Sequence, residues 1–426
     1  MQAPSRAGRK NGNERHSGFR AGCPDHWAPS ALARRANGIA CGLFLITSAP
    51  GSGVATCQPR FSVGAPETVL TRQRLKEAGV GGIDASLYAL NDQGVWKWFC
   101  TSGWRHTTAI GPRDNPFEKV LAKATEITGL PDAFADSKMG FSRDHLSGNI
   151  SWIANVYRNP ENGHILGFVH TENVSPDRSG VYFRLGLSIS KDGGRTFAWC
   201  GFILEPELSY QTWFEHWRPK DFRAGFIYPN TGLANYIIKD GYFQLYYTDT
   251  RERPDSLVNG VAAARAKLSD VLAAAEDQQA TPWRKYHDGG WDENGLGGRF
   301  TPLNIDPLGF LHGDAAYNSH LRQYVLVTRS YFHADGQNQV IGHDWNPARK
   351  GSILISFSQD GIRWCPWQTV HEDQHAHDYP SIVSTGDDNE VTGKSFWIYY
   401  KYFQDAELPA IEWHQHRWDR VLVTLE

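Results

Sequence analysis

Two Ser-x-Asp-Gly segments constrain this chain more than any other feature. The first is Ser190-Lys191-Asp192-Gly193-Gly194-Arg195-Thr196-Phe197, and a looser echo is Ser358-Gln359-Asp360-Gly361-Ile362-Arg363-Trp364. Each follows a short apolar run (182–189 and 353–357) and leads into aromatic residues. Asp-Gly between two strand-like runs is a strong hairpin signal, because a type I′ turn needs positive φ at both central residues. The aspartate side chain can also bond nearby backbone N–H groups. The same outer hairpin used twice predicts a repeated four-stranded unit, and so a β-propeller.

The rest of the chain obeys that grammar. Five strand–turn–strand segments follow one another from residue 82: 82–100, 149–190, 233–266, 313–358 and 377–425. Helical pieces are expected at 116–128 and 269–276. A unit of this kind cannot bury its two faces alone, and stacking around an axis solves the problem. The expected fold is all-β, a five-bladed propeller. The alternatives are a six-bladed, sialidase-like propeller and, further off, a two-sheet sandwich.

Composition narrows the partners. A formal charge of −3 argues against a nucleic-acid surface, and 13% aromatics with 16 Trp favours an aromatic-rich core or sugar-stacking surface. The six cysteines contain no C-x-x-C pair, against a structural zinc site. They read first as buried strand cysteines, with a disulfide among Cys57, Cys100, Cys200 and Cys365 as the alternative. Residues 1–32 are polar and patternless, so disorder is expected there. Arg34-Arg35 then precede an apolar run at 38–49 and small residues to Ala55, the pattern of a secretory signal peptide. The run is too short for a membrane span. The expected organisation is a leader at 1–60 and one propeller domain at 61–426, in a secreted or periplasmic protein.

In a propeller the first strand of each blade lines the axis. Three of the five first strands carry an aspartate near their start: Asp84, Asp314 and Asp378. Aspartate is a poor strand residue, and three placed alike would converge. Converging carboxylates shift one another's pKa values, so one can stay protonated while another is ionised, which is the pairing glycoside hydrolysis uses. Each could instead cap a turn. His312 and His377 stand beside two of these aspartates as candidate substrate contacts. Arg143 precedes the second unit. The aromatic loop Trp213-Phe214-Glu215-His216-Trp217 offers a carboxylate and two stacking surfaces, and Trp291 a third. No cofactor is expected. The alternative of a metal held by His312, His377 and Asp314 would make calcium or zinc structural. The glycine-rich stretch 288–299 reads as a rim loop rather than a phosphate loop.

The Ile83-Asp84-Ala85-Ser86 segment, the 239–247 hairpin and the two Asp-Gly turns resemble the five-bladed glycosidases: arabinanases, β-xylosidases, fructan hydrolases and α-neoagarobiose hydrolases. The turns are also similar to the Asp-boxes of sialidases, which lie on the outside of blades. The resemblance implies Asp84 as general base. It implies a later-blade glutamate as acid, which the first strands lack, leaving Asp314, Glu215 or His312 for that role and Asp378 as an orienting partner. A sialidase site would need three arginines, for which Arg143, Arg218 and Arg329 stand available. The expected partner is a poly- or oligosaccharide. The rival readings are a non-catalytic carbohydrate-binding propeller and a lyase or phosphorylase.

Overall fold

The computed structural model of the protein describes residues 58–426 apart from 81–82, 84, 103–104, 132–149, 175–180, 213–230, 254–255, 306–310, 333–349, 374–376, 389 and 404–415. Its strands form five sheets, arranged as a five-bladed β-propeller. The six-bladed alternative is therefore set aside.

The chain begins with β1 (Phe61–Val63), β2 (Glu67–Leu70) and helix α1 (Arg72–Glu77). Blade I is β3 (Tyr88–Asp92), β4 (Val95–Ser102), β5 (Arg105–Ile110) and β6 (Lys119–Thr125). A short β7 (Ile127–Thr128) then crosses to the outer edge of blade II, which is β8 (Ile150–Arg158), β9 (Ile165–Val174), β10 (Val181–Ser190) and β11 (Phe197–Leu204). Blade III is β12 (Thr231–Lys239), β13 (Tyr242–Arg253) and β14 (Ser256–Lys267), then helix α2 (Leu268–Glu276), β15 (Arg284–His287) and β16 (Gly290–Asn294). Blade IV is β17 (Gly313–Asn318), β18 (Gln323–Phe332), β19 (Lys350–Ser358) and β20 (Gln368–Asp373). Blade V starts with β21 (His377–Ser384). A short β22 (Val391–Thr392) pairs back onto β17, and β23 (Ser395–Phe403) and β24 (His416–Leu425) follow.

The ring is closed by its two ends. β1 and β2 both pair with β24, setting Phe61 opposite Leu425 and Glu67 opposite Arg420. Five buried clusters hold the blades together, each built mainly from the facing sides of two neighbours. Phe168, Tyr236 and Phe243 mark the interface of blades II and III. Trp98, Tyr399 and Trp418 mark that of V and I, the closing one. The remaining three lie between IV and V, I and II, and III and IV. Aromatic side chains dominate because each buries a large apolar area in a wedge-shaped gap.

The turns differ from expectation in an instructive way. Gln93-Gly94 (φ 55° and 88°), Asp240-Gly241 (51° and 78°) and Asp288-Gly289 (46° and 88°) have positive φ at both residues, as type I′ turns require. Asp192 and Asp360 do not; there only the glycines, Gly193, Gly194 and Gly361, are left-handed. Both aspartates act through their side chains instead. Asp192 Oδ1 accepts from the N–H groups of Arg195 (3.0 Å) and Thr196 (2.9 Å), and Asp360 Oδ1 from Ile362 (2.8 Å) and Arg363 (2.7 Å). These bonds hold both carboxyls below the usual carboxylate range, against the opposing effect of burial.

Two local expectations are corrected. Residues 116–128 contain β6 and β7 rather than a helix, because the free edge of β5 offers a ladder that outweighs helix-favouring Ala and Lys. The stretch 288–299 is largely the β15–β16 hairpin, the outer edge of blade III. Cys100 and Cys200 are buried thiols, whereas Cys365 is disulfide-bonded.

Candidate active site at the propeller axis

First strands of neighbouring blades touch around the axis, and polar side chains stitch them together. Ser86 Oγ, just before β3, is within hydrogen-bond reach of the carbonyls of Pro380 (3.1 Å) and Gly313 (3.4 Å), and Ser381 donates to Leu87 O (2.8 Å). Asn155 of β8 donates to Ala234 O on β12 (3.1 Å) and to Asp314 Oδ1 on β17 (3.3 Å). The N–H of Ile382 on β21 donates to Asp314 Oδ2 (3.0 Å). Through these contacts all five blades are linked around the axis, and blades II, IV and V meet at Asp314.

Bulges aim the side chains. The registers of β8, β12 and β21 slip between Ile153 and Asn155, Gly232 and Asn235, and Asp378 and Ser381. Leu233 (φ 57°) and Tyr379 (φ 50°) adopt left-handed backbone at two of the slips. Such a bulge redirects the flanking residues, here toward the axis, and stores strain of the kind found at functional sites.

Two aspartates on adjacent first strands are shifted in opposite directions. Asp314 is buried, and that burial pushes its carboxyl up to about 7, even though the N–H groups of Ile382 and Ala315 and the Asn155 amide oppose the rise. Burial acts on Asp378 in the same sense. There the charges of His312 and Arg329, the His312 hydrogen bond and Lys401 outweigh it and hold the carboxyl well below its usual range. His312 Nδ1 lies 2.8 Å and Arg329 Nε 3.3 Å from Asp378 Oδ1. The His312 ring stacks flat on Tyr379 at 4.5 Å. Lys401 is wholly buried and donates to Ile83 O (2.7 Å).

A third enclosed carboxyl, missed in the sequence, lies toward the other end of the axis. Glu390 precedes β22, and its main-chain carbonyl receives the N–H of Tyr317 (3.1 Å) near the end of β17. The residue as a whole is half-buried, but its carboxyl is enclosed and burial pushes it up to about 8. Tyr236 Oη lies 2.8 Å from Val156 O and 2.5 Å from Glu390 Oε1. One hydroxyl has one proton, and a carbonyl can only accept. Given to Glu390, that proton favours the ionised carboxylate, and burial outweighs it to raise the pKa.

The other predicted residues separate. His377 and Asp378 are adjacent in sequence but point to opposite sides of β21. His377 packs against His371, Asp373, Tyr400 and Tyr402 between blades IV and V, so the trio His312, His377 and Asp314 is not gathered around one point. Trp291 lies on β16, the outermost strand of blade III, against Tyr286 and Arg265, rather than at the axis. Asp84, Arg143, Trp213, Glu215, Trp217 and Arg218 lie outside the described residues.

No protein-family model and no curated protein matches the chain. Among solved structures it is similar to the catalytic domain of a family 62 α-L-arabinofuranosidase from Coprinopsis cinerea, at 9% identity and a TM-score of 0.47, over 86% of this chain and 97% of that one. It is also similar to a family 117 glycoside hydrolase from Zobellia galactanivorans, at 10% identity and 0.45, over 87% and 91%. A family 43 enzyme from Xanthomonas citri matches at 11% identity and 0.42, over 82% and 92%. These are likenesses of fold, at identities too low to carry chemistry across.

The chemistry therefore rests on the axis itself. A carboxyl titrating near neutrality can give a proton at pH 7, and an ionised carboxylate on the next strand can support developing positive charge. The His312 imidazole, stacked on left-handed Tyr379, lies beside Asp378.

Proposed function

We propose that this protein is an exported glycoside hydrolase acting on a poly- or oligosaccharide at the propeller axis, on the side where the first strands begin. The observation that carries this is the pair Asp314 and Asp378: buried carboxyls on neighbouring first strands, one raised to about 7 and the other held low by His312 and Arg329. Separating two carboxyl pKa values by environment divides the acid from the charge-stabilising role.

In this reading Asp314 gives its proton to the glycosidic oxygen. Asp84 is the base that activates water. Its neighbours in the chain are anchored near the axis: Ile83 is tied to Lys401, and Ser86 to the start of β17 and to β21. Asp378, with its two cationic partners, is too well stabilised to take up a proton and acts by orienting His312 and by its charge. His312 and Tyr379 offer the sugar a hydrogen-bonding edge and a stacking face. Export is supported by the leader pattern at 38–55 and by disulfide-bonded Cys365, which suits an oxidising compartment. A mature chain starting near residue 56, measured by mass, is the expected secreted product.

The test is turnover by Asp314→Asn and Asp84→Asn on a glycan the wild type cleaves. Each variant should lose about 10²–10⁴-fold in kcat. Only Asp314→Asn should recover on an aryl glycoside whose leaving group needs no proton. Wild-type kcat should fall as pH rises past about 7, as the acid ionises. Full turnover by Asp314→Asn would leave that residue as a hub joining the blades and sink the mechanism. Glycan binding without turnover by the wild type would favour a carbohydrate-binding propeller instead.

A further inference from the structure

Away from the axis, His371, Asp373 and His377 form a cluster that the mechanism does not use. His371 and Asp373 are two apart on β20, the outermost strand of blade IV, and so share one face of it. His377 opens β21, the innermost strand of blade V. Their candidate ligand atoms all lie within 4.8 Å of one another. Asp373 Oδ1 is 3.0 Å from His377 Nε2, and Asp373 Oδ2 is 3.5 Å from His371 Nε2.

His377 is the informative member. Its side chain is completely buried, yet neither ring nitrogen has a hydrogen-bond partner among the described residues. The 3.0 Å approach of Nε2 to Asp373 is not aligned for a hydrogen bond. A buried imidazole with two unmet nitrogens is costly, and native structures rarely leave one so. Two ligand atoms about 3.0–3.4 Å apart are what a shared cation with bonds near 2.0–2.1 Å produces.

We propose that His371, Asp373 and His377 bind a first-row divalent metal ion of the zinc type, which joins the outer strand of blade IV to the inner strand of blade V. Two imidazoles and a carboxylate are a donor set this class of ion takes readily, and a fourth position is open to water. Tyr400 stacks on His371 at 5.5 Å and packs edge-on against His377 at 5.1 Å, fixing both rings. His371 and Asp373 keep partial exposure, with side chains 16% and 32% accessible, which provides an entry path from solvent. The role is structural: the ion would hold adjacent blades together beside the three residues that connect them.

The test uses the full, tag-free chain, stripped with a chelator and titrated with zinc by calorimetry and with cobalt(II) by visible absorption. The expected result is one equivalent of either metal, cobalt d–d bands, and a higher melting temperature with zinc than without. His371→Ala and Asp373→Asn lie at the partly exposed side, so the metal-free variants should melt near metal-free wild type. They should lose the cobalt bands and at least about tenfold in zinc affinity. A folded wild-type chain that takes up no equivalent overturns the proposal, and so does unchanged uptake by both variants.

Discussion

Glu390 shows how one enclosed carboxyl ties stability to pH. Its folded pKa is near 8 against a reference of 4.5, because burial disfavours the charge. Between those values the native state holds a proton that the unfolded chain has released. The stabilisation is complete below about 4.5 and is lost as pH rises toward 8, by up to roughly 5 kcal/mol on the shift alone. Asp314 acts in the same direction over about 4 to 7, and Asp378 in the opposite one at low pH, since its pKa is depressed. Glu390→Gln keeps the shape, and its amide can still donate to Tyr236. The variant should match wild type at pH 5 and exceed it at pH 9, with a melting curve flatter against pH. Parallel curves for the two proteins would mean that Glu390 is ionised in the native state.

At the scale of elements, closure of the ring rests on two very short strands. β1 and β2 supply the outer partners of β24, and Arg420 Nη2 reaches Glu67 Oε2 at 2.8 Å. Without them β24 becomes a free edge, and the cluster containing Leu70 and Leu75 loses its lid over Trp418. A chain trimmed to begin at residue 72 should melt about 5–10 °C or more below one trimmed to begin at residue 58. Equal melting temperatures would show that β24 holds the last blade without these partners. The Asp192 and Asp360 turns, by contrast, belong to the outer part of their blades. They set the course of the chain between third and fourth strands and touch none of the axis carboxyls.

For the whole molecule, the five-fold repeat was legible in sequence because a hairpin is a local object. Its turn residues and the alternation of its strands are read within a dozen positions. Asp314 and Asp378 were legible for a related reason, since an aspartate at the start of an apolar strand violates local preference and calls for an explanation. Glu390 was not, because Asp387-Asp388-Asn389-Glu390 reads as a solvated acidic turn until Tyr236, from another blade, arrives above it. His377 was assigned to the axis on sequence adjacency alone. A strand sends neighbours to opposite faces, and only the packing of blade V against blade IV determines which face is the axis. What the chain settles by itself is therefore the repeated unit, the approximate strand ends and the two unusual aspartates. Which carboxyl has its pKa raised, which has it lowered, and which histidine faces which blade were decided by the tertiary structure. Those properties depend on burial and on partners tens to hundreds of residues away, and no local pattern encodes such distances.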